Sequence, residues 1–112
     1  MSARVSTAAL RKARPVFAAL GDDTRLRLLA ALCAGGAMSI TQLTAGIDLS
    51  RQAVTKHLQV LAEAGLVHDV KAGRERLWQF DPAQLEAARL SLDLIARQWD
   101  HALQKLQAFV EV

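Results

Sequence analysis

Five side chains within nine residues can read a base edge or hold a phosphate: Arg51, Gln52, Thr55, Lys56 and Gln59. Arg and Lys donate to guanine acceptors or phosphate oxygens, Gln bonds an adenine edge in pairs, and Thr meets a thymine methyl. Their spacing matters as much as their types. In a helix over residues 50–64, Gln52, Thr55, Lys56, Gln59 and Glu63 share one side, and Arg51 stands in the first turn. Val54, Leu58 and Leu61 fall on the opposite side, which should face a core. A helix of this kind fits a major groove, led by its N-terminal residues. Taken alone, it equally fits a plain amphipathic helix with a solvated polar face. His57 falls between the two faces and suits either packing or a phosphate bond.

A second cluster favours the groove. Lys71, Arg74 and Arg76 surround Ala72-Gly73-Arg74, a turn at the middle of residues 66–80. The flanks carry Val67, Val70, Leu77, Trp78 and Phe80, which suit strands, so the stretch reads as a β-hairpin with a basic tip. Trp78 and Phe80 alternate and should point together into the core. His68, in the first strand, is expected to be solvated. A basic hairpin directly after a groove-reading helix is read as a wing that grips phosphate.

The elements that position these residues are marked by their caps. Ser39, with Gln42 three residues on, fits a capping box, and Gly46 ends the short helix that follows. Ser50 caps the next helix, with Leu49 and Val54 as a hydrophobic staple, and Gly65 supplies a left-handed stop. Two helices joined by a glycine-containing turn make residues 39–65 a helix-turn-helix. Upstream, residues 1–20 form a helical arm in which Pro15 marks a bend or restart. A helix over residues 24–33 follows, capped by Asp22 and ended by Gly35-Gly36. In it, Arg27 is expected to pair with a carboxylate, and Arg25 to reach backbone carbonyls or phosphate. Cys33, near Leu29 and Leu32, is expected to be a buried, inert thiol.

Asp81-Pro82 opens a last helix over residues 82–111. Leu85, Ala88, Leu92, Ile95, Trp99, Ala102, Leu106 and Phe109 recur at alternating steps of three and four, as in a heptad seam. Leu90, Leu94 and Leu103 add a second apolar edge. So small a body cannot cover a helix this long and apolar, so it should pack against its copy in a second chain.

Composition narrows the classes. The 112 residues suffice for one domain, 1–112, and 52% hydrophobic content argues against disorder. Few Gly and Pro and many Ala and Leu give a mainly α fold with a small β-hairpin. The net charge of +3 is unevenly placed: residues 1–20 and 51–80 are basic, and residues 81–112 are acidic. The last helix is therefore not expected to lie against a polyanion. No phosphate-cradling glycine loop, hydrolase His pair or nucleophile motif occurs, so no catalysis and no cofactor are expected. The single Cys excludes an internal disulfide. No apolar run nears the ~20 residues of a membrane span. Residues 1–14 are basic without the apolar block of a secretory signal, so a cytoplasmic protein is expected.

Two stretches resemble a known family. Residues 20–29, Leu20-Gly21-Asp22-Asp23-Thr24-Arg25-Leu26-Arg27-Leu28-Leu29, are similar to its pattern L-G-D-P-T-R-L-R-I-L. Residues 50–67, from Ser50 through His57-Leu58 to Ala64-Gly65-Leu66-Val67, are similar to S-x-x-x-[VI]-[ST]-x-H-L-x-x-L-x-x-A-G-L-V. Gly73-Arg74-Glu75-Arg76 resembles its wing. The family is the ArsR/SmtB type of bacterial winged-helix repressor, and the resemblance covers roughly residues 15–110. Asp23 stands where that family usually has Pro, and serves a first helical turn as well.

The resemblance implies a homodimer, held by the first and last helices and bound to an inverted-repeat DNA operator. It implies that Gln52, Thr55, Lys56 and His57 face DNA, with Ser39 and Ser50 near phosphate. Leu10, Phe17, Leu92, Ile95, Trp99, Ala102 and Leu106 are the expected interface. The family's known metal-ligand sets are not matched. Residues 39–44 carry no Cys, and the last helix has one His, His101, beside Asp100. No metal is therefore expected. A small effector, if one acts, is expected between the last helices. Two other readings stay open: a winged-helix module for protein contacts without DNA binding, and a metal- or redox-responsive repressor of the same fold.

Overall fold

A computed structural model describes residues 7–111; residues 1–6 of the arm, with their basic Arg4, and Val112 lie outside the described residues. Helix α1 spans Thr7–Leu20 and runs without a break through Pro15. The helix does not restart there. Pro15 removes one backbone N–H from the ladder, and Ala13, Val16 and Ala19, buried on either side of it, hold the helix to the core.

Helix α2, Asp23–Gly35, starts where Asp22 accepts from the Arg25 amide at 3.0 Å. Helix α3, Ile40–Ala45, opens with the expected capping box: Ser39 Oγ accepts from the Gln42 amide at 3.2 Å, and Gln42 Oε1 accepts from the Ser39 amide at 2.9 Å. Helix α4, Arg51–Glu63, is capped by Ser50, whose Oγ accepts from the Ala53 amide at 3.1 Å. Gly65, at φ +78°, then turns the chain into the sheet.

The sheet has three antiparallel strands in the order β1-β3-β2: β1 Met38–Ser39, β2 Val67–Ala72 and β3 Glu75–Phe80. The β2–β3 hairpin is the expected wing. Strand β1 is not expected from the sequence, because two residues are too few to show alternation. It pairs Met38 with Trp78 and so ties the wing to the start of α3. The hairpin turns on Gly73-Arg74, with Gly73 at φ +65°, as a two-residue loop with a leading glycine requires.

The core joins all these elements. Leu28 of α2, Val54, Leu58 and Leu61 of α4, and Leu66 are fully enclosed, and Trp78 is buried beside them. Burying each such side chain contributes about 1.5–3 kcal/mol. Three of these anchors lie on α4, so its rotation about its own axis is fixed.

Helix α5, Pro82–Glu111, begins as Asp81 accepts from the Ala83 amide at 3.0 Å. Among the described residues its buried positions lie near its start, where Leu85, Ala88 and Ser91 face inward. Beyond that it projects, and the molecule is 67 Å long.

Two further expectations differ. Cys33 is exposed, not buried. The buried arc of α2 runs from Leu28 to Leu29, and Cys33 lies about 40° beyond its edge. Arg27 is also exposed and makes no ion pair among the described residues, although Asp23 stands one turn away.

Candidate nucleic-acid interface

With Val54, Leu58 and Leu61 inward, α4 turns Arg51, Gln52, Lys56 and Gln59 to the outside, all exposed. Thr55 is half-buried, and its hydroxyl donates to the Arg51 carbonyl at 2.8 Å. Its donor is therefore spent within the helix, while its methyl and lone pairs stay free for contact. Ser39 and Ser50 use their oxygens only as acceptors in the two caps, which leaves each hydroxyl proton for another partner.

Two of these residues, Ser39 and Arg51, share a cleft. This cleft of about 540 Å³ is lined by Ser39, Thr41 and Gln42 at the start of α3, Arg51 of α4, and Glu75 and Arg76 of the wing. Two helix N-termini, with amides that favour anions, thus open beside an exposed arginine. Thr41, Gln42 and Glu75 are additions to the sequence reading. The capping box foretells the first two, since it places them in the first turn of α3.

The wing divides its basic residues between two tasks. Arg74 sits at the turn and Lys71 on β2; both are exposed and make no ion pair among the described residues. Arg76 stands opposite Lys71, and its Nε donates to Asp69 at 2.8 Å. Its guanidinium also lies over the Trp78 ring. Arg76 is thus held within the wing, while Arg74 and Lys71 are free to meet an anion.

His57 does not join the exposed face. Its half-buried ring has Nδ1 3.4 Å from Arg25 Nη1 and 3.8 Å from Asp22 Oδ2. Arg25 itself reaches backbone carbonyls, as expected: Nε donates to Ala19 O at 2.7 Å. The Arg25 amide, with some help from the charged Arg25 side chain, holds the Asp22 carboxyl below the usual carboxylate range. His68 is half-exposed, 3.6 Å from the Asp81 carboxylate.

Known proteins share this fold. A family model described as a helix-turn-helix domain matches residues 20–70. An ArsR-like transcriptional regulator from Rhodococcus sp. RHA1 has a solved structure that superposes with a TM-score of 0.78 at 35% identity, covering 88% of this chain and 92% of that one. This chain belongs to the ArsR-type winged helix-turn-helix regulators. The HTH-type transcriptional regulator Rv2034 of Mycobacterium tuberculosis is 42% identical over 85 residues, which is 76% of each chain. The arsenical resistance operon repressor of Escherichia coli is 28% identical over 95 residues, 85% of this chain and 79% of that one. As an ArsR-type regulator the protein is a DNA-binding transcription factor and not an enzyme. Among the described residues of this regulator, no helix is long and apolar enough to cross a membrane.

Proposed function

We propose that the chain acts as a homodimeric repressor whose two α4 helices enter successive major grooves of an inverted-repeat operator. One observation supports this above others. Arg51 at the start of α4, the first turn of α3 and Glu75 and Arg76 of the wing border one cleft, and exposed Gln52, Lys56 and Gln59 follow Arg51 along the same helix. Gln52, Thr55, Lys56 and Gln59 read base edges. Ser39, Ser50, Arg51, Lys71 and Arg74 hold the backbone, and Arg76 shapes the wing. His57 is left out of the contact set because its ring is engaged with Arg25.

The uncovered half of α5 supports the dimer. Leu92, Ile95, Trp99 and Leu106 are between 41% and 63% exposed, and Ala102 is exposed with them. Leu10 is half-buried, and Phe17 packs partly on its own core, so α1 offers less than α5. A dimer would set the two α4 helices roughly 34 Å apart, one turn of DNA, and its bound body would bar polymerase.

Selection from a pool of random duplexes tests the reading. The protein should enrich an inverted repeat and bind it with a steep loss of affinity in salt. Failure to retain any duplex at low salt would overturn DNA recognition by this face.

A further inference from the structure

The polar cluster of Arg25, Asp22 and His57 is part-buried and lies outside the proposed set of DNA contacts. We propose that Arg25 is a positioning residue: a strut from α2 that ties the C-terminal end of α1 to α4 and sets the angle at which α4 meets DNA. Its consequence for DNA rests on the reading above; its structural half does not.

The argument starts from the end of α1. The last carbonyls of a helix have no partner within it. Arg25 supplies one from the next helix, with Nε to Ala19 O at 2.7 Å and Nη2 to Ala18 O at 3.4 Å. A cation there also suits the negative end of the α1 dipole. The third nitrogen, Nη1, lies 3.4 Å from His57 Nδ1. An arginine nitrogen can only donate, so this contact needs the His57 tautomer with its proton on Nε2. The Asp22 carboxylate that caps α2 flanks the same ring at 3.8 Å.

One planar fork therefore touches α1 and α4 while rooted in α2. A guanidinium is rigid, so its contacts fix direction as well as distance. A lysine ammonium at this position is a point charge and cannot span the Ala19 carbonyl and His57 in one geometry. On α4, His57 sits between exposed Lys56 and enclosed Leu58. A shift of α1 is thus passed to α4 at the residue next to its groove face. Leu10 and Phe17 of α1 are proposed to meet the partner copy, so the strut would also link the dimer contact to the reading head.

Four variants test this: Arg25→Lys, Arg25→Ala, His57→Leu and His57→Asn. The Oδ1 of an asparagine stands close to where Nδ1 stands, so His57→Asn keeps the acceptor. The probes are the duplex that the unaltered protein selects from a random pool and a scrambled duplex of the same composition. Arg25→Lys, Arg25→Ala and His57→Leu should lower the ratio of the two affinities on the order of tenfold. Scrambled-duplex affinity and its salt slope should stay unchanged, because the phosphate-holding residues are intact. His57→Asn should keep the unaltered ratio. Without DNA, amide hydrogen exchange over Arg51–Glu63 should quicken in the three damaging variants and not in His57→Asn.

An Arg25→Lys protein with the unaltered ratio and unaltered exchange overturns the strut. So does an equal loss on both duplexes with a lowered Tm, which marks a merely structural residue. If the unaltered protein selects no duplex, the DNA reading fails, and the exchange pattern alone decides whether Arg25 ties α1 to α4.

Discussion

The guanidinium of Arg76 lies 4.8 Å from the centroid of the Trp78 ring. The two residues share one face of β3, two positions apart, so the charge is stacked on a side chain that is itself buried in the core. Asp69, opposite Trp78 on β2, accepts from the same arginine at 2.8 Å. The base of the wing is thus tied to the core, and its three basic residues are not equivalent.

Arg74→Ala and Arg76→Ala should separate in their effects. Arg74→Ala should weaken binding to all sequences alike, flatten the salt slope by about one and leave the Tm unchanged. Arg76→Ala removes an exposed ion pair and a cation–π contact and should lower stability by about 1 kcal/mol. Thermal melts with fluorescence anisotropy at several salt concentrations read both. An Arg74→Ala protein with unaltered affinity and slope shows that the wing tip does not hold phosphate.

Gln52→Ala should act on sequence instead. Gln52 is exposed in the first turn of α4, where groove-reading helices make their leading contacts. Loss of its amide should cost about 1–3 kcal/mol on the selected duplex and relax preference at one position of each half-site. Repeating the selection with the variant checks this; an unaltered consensus removes Gln52 from the reading set.

Gly65→Ala should destabilise the fold by about 1–2 kcal/mol, because φ +78° strains any L side chain. An added Cβ would also stand 2.5 Å from Gln84 Cγ. Gln84 is exposed and flexible, so Gln84→Ala should relieve the clash and leave the backbone strain. Urea unfolding of the single and double variants distinguishes the two: full rescue by Gln84→Ala would show that φ is not the cause.

Asp22 should give a measurable acid dependence. Its folded pKa lies below the ordinary value of 3.8, chiefly because the Arg25 amide bonds the charged form. The folded state then holds the proton less tightly than the unfolded chain. The resulting stabilisation is complete above the unfolded pKa and is lost as pH falls through the folded one. Asn caps a helix as well as Asp but carries no charge. The stability difference between the protein and Asp22→Asn should therefore shrink below about pH 4. Parallel acid-side urea titrations that keep a constant gap would contradict the shift.

The features that were legible in the sequence are those set by local chemistry. Asp22, Ser39, Ser50 and Gly65 mark helix ends through their own backbone neighbours, and all four do so in the structure. The face of α4 followed from the period of Val54, Leu58 and Leu61. What was not legible depends on where other elements arrive. β1 exists because β3 passes Met38. Arg76 is engaged because the two-residue turn at Gly73 sets a register that brings Asp69 within reach. His57 turns to Arg25 because α2 crosses α4 there, which a family pattern read along one helix does not reveal. Cys33 missed burial by a small angle on a helix that is apolar nearly all round but whose buried arc is narrow.

Trp99→Glu should yield monomers. Trp99 is 63% exposed, on the part of α5 that has left the body, with Leu92 and Ile95 before it and Leu106 beyond. In a two-fold dimer each contact occurs twice, so a single substitution places two carboxylates in the apolar seam. Burying an unpaired charge there is unfavourable enough to prevent association. Trp99→Phe retains an apolar ring and should remain dimeric. Sedimentation velocity separates the species, and the unaltered protein should show a Tm that rises with concentration. The DNA readout follows from the same linkage. A dimer engages its second half-site intramolecularly, so Trp99→Glu should lose about 10²-fold or more on the full inverted repeat. Its affinity for a single half-site should be unaltered, because α4 and the wing are untouched. A Trp99→Glu protein that still sediments as a dimer places the interface elsewhere than along α5.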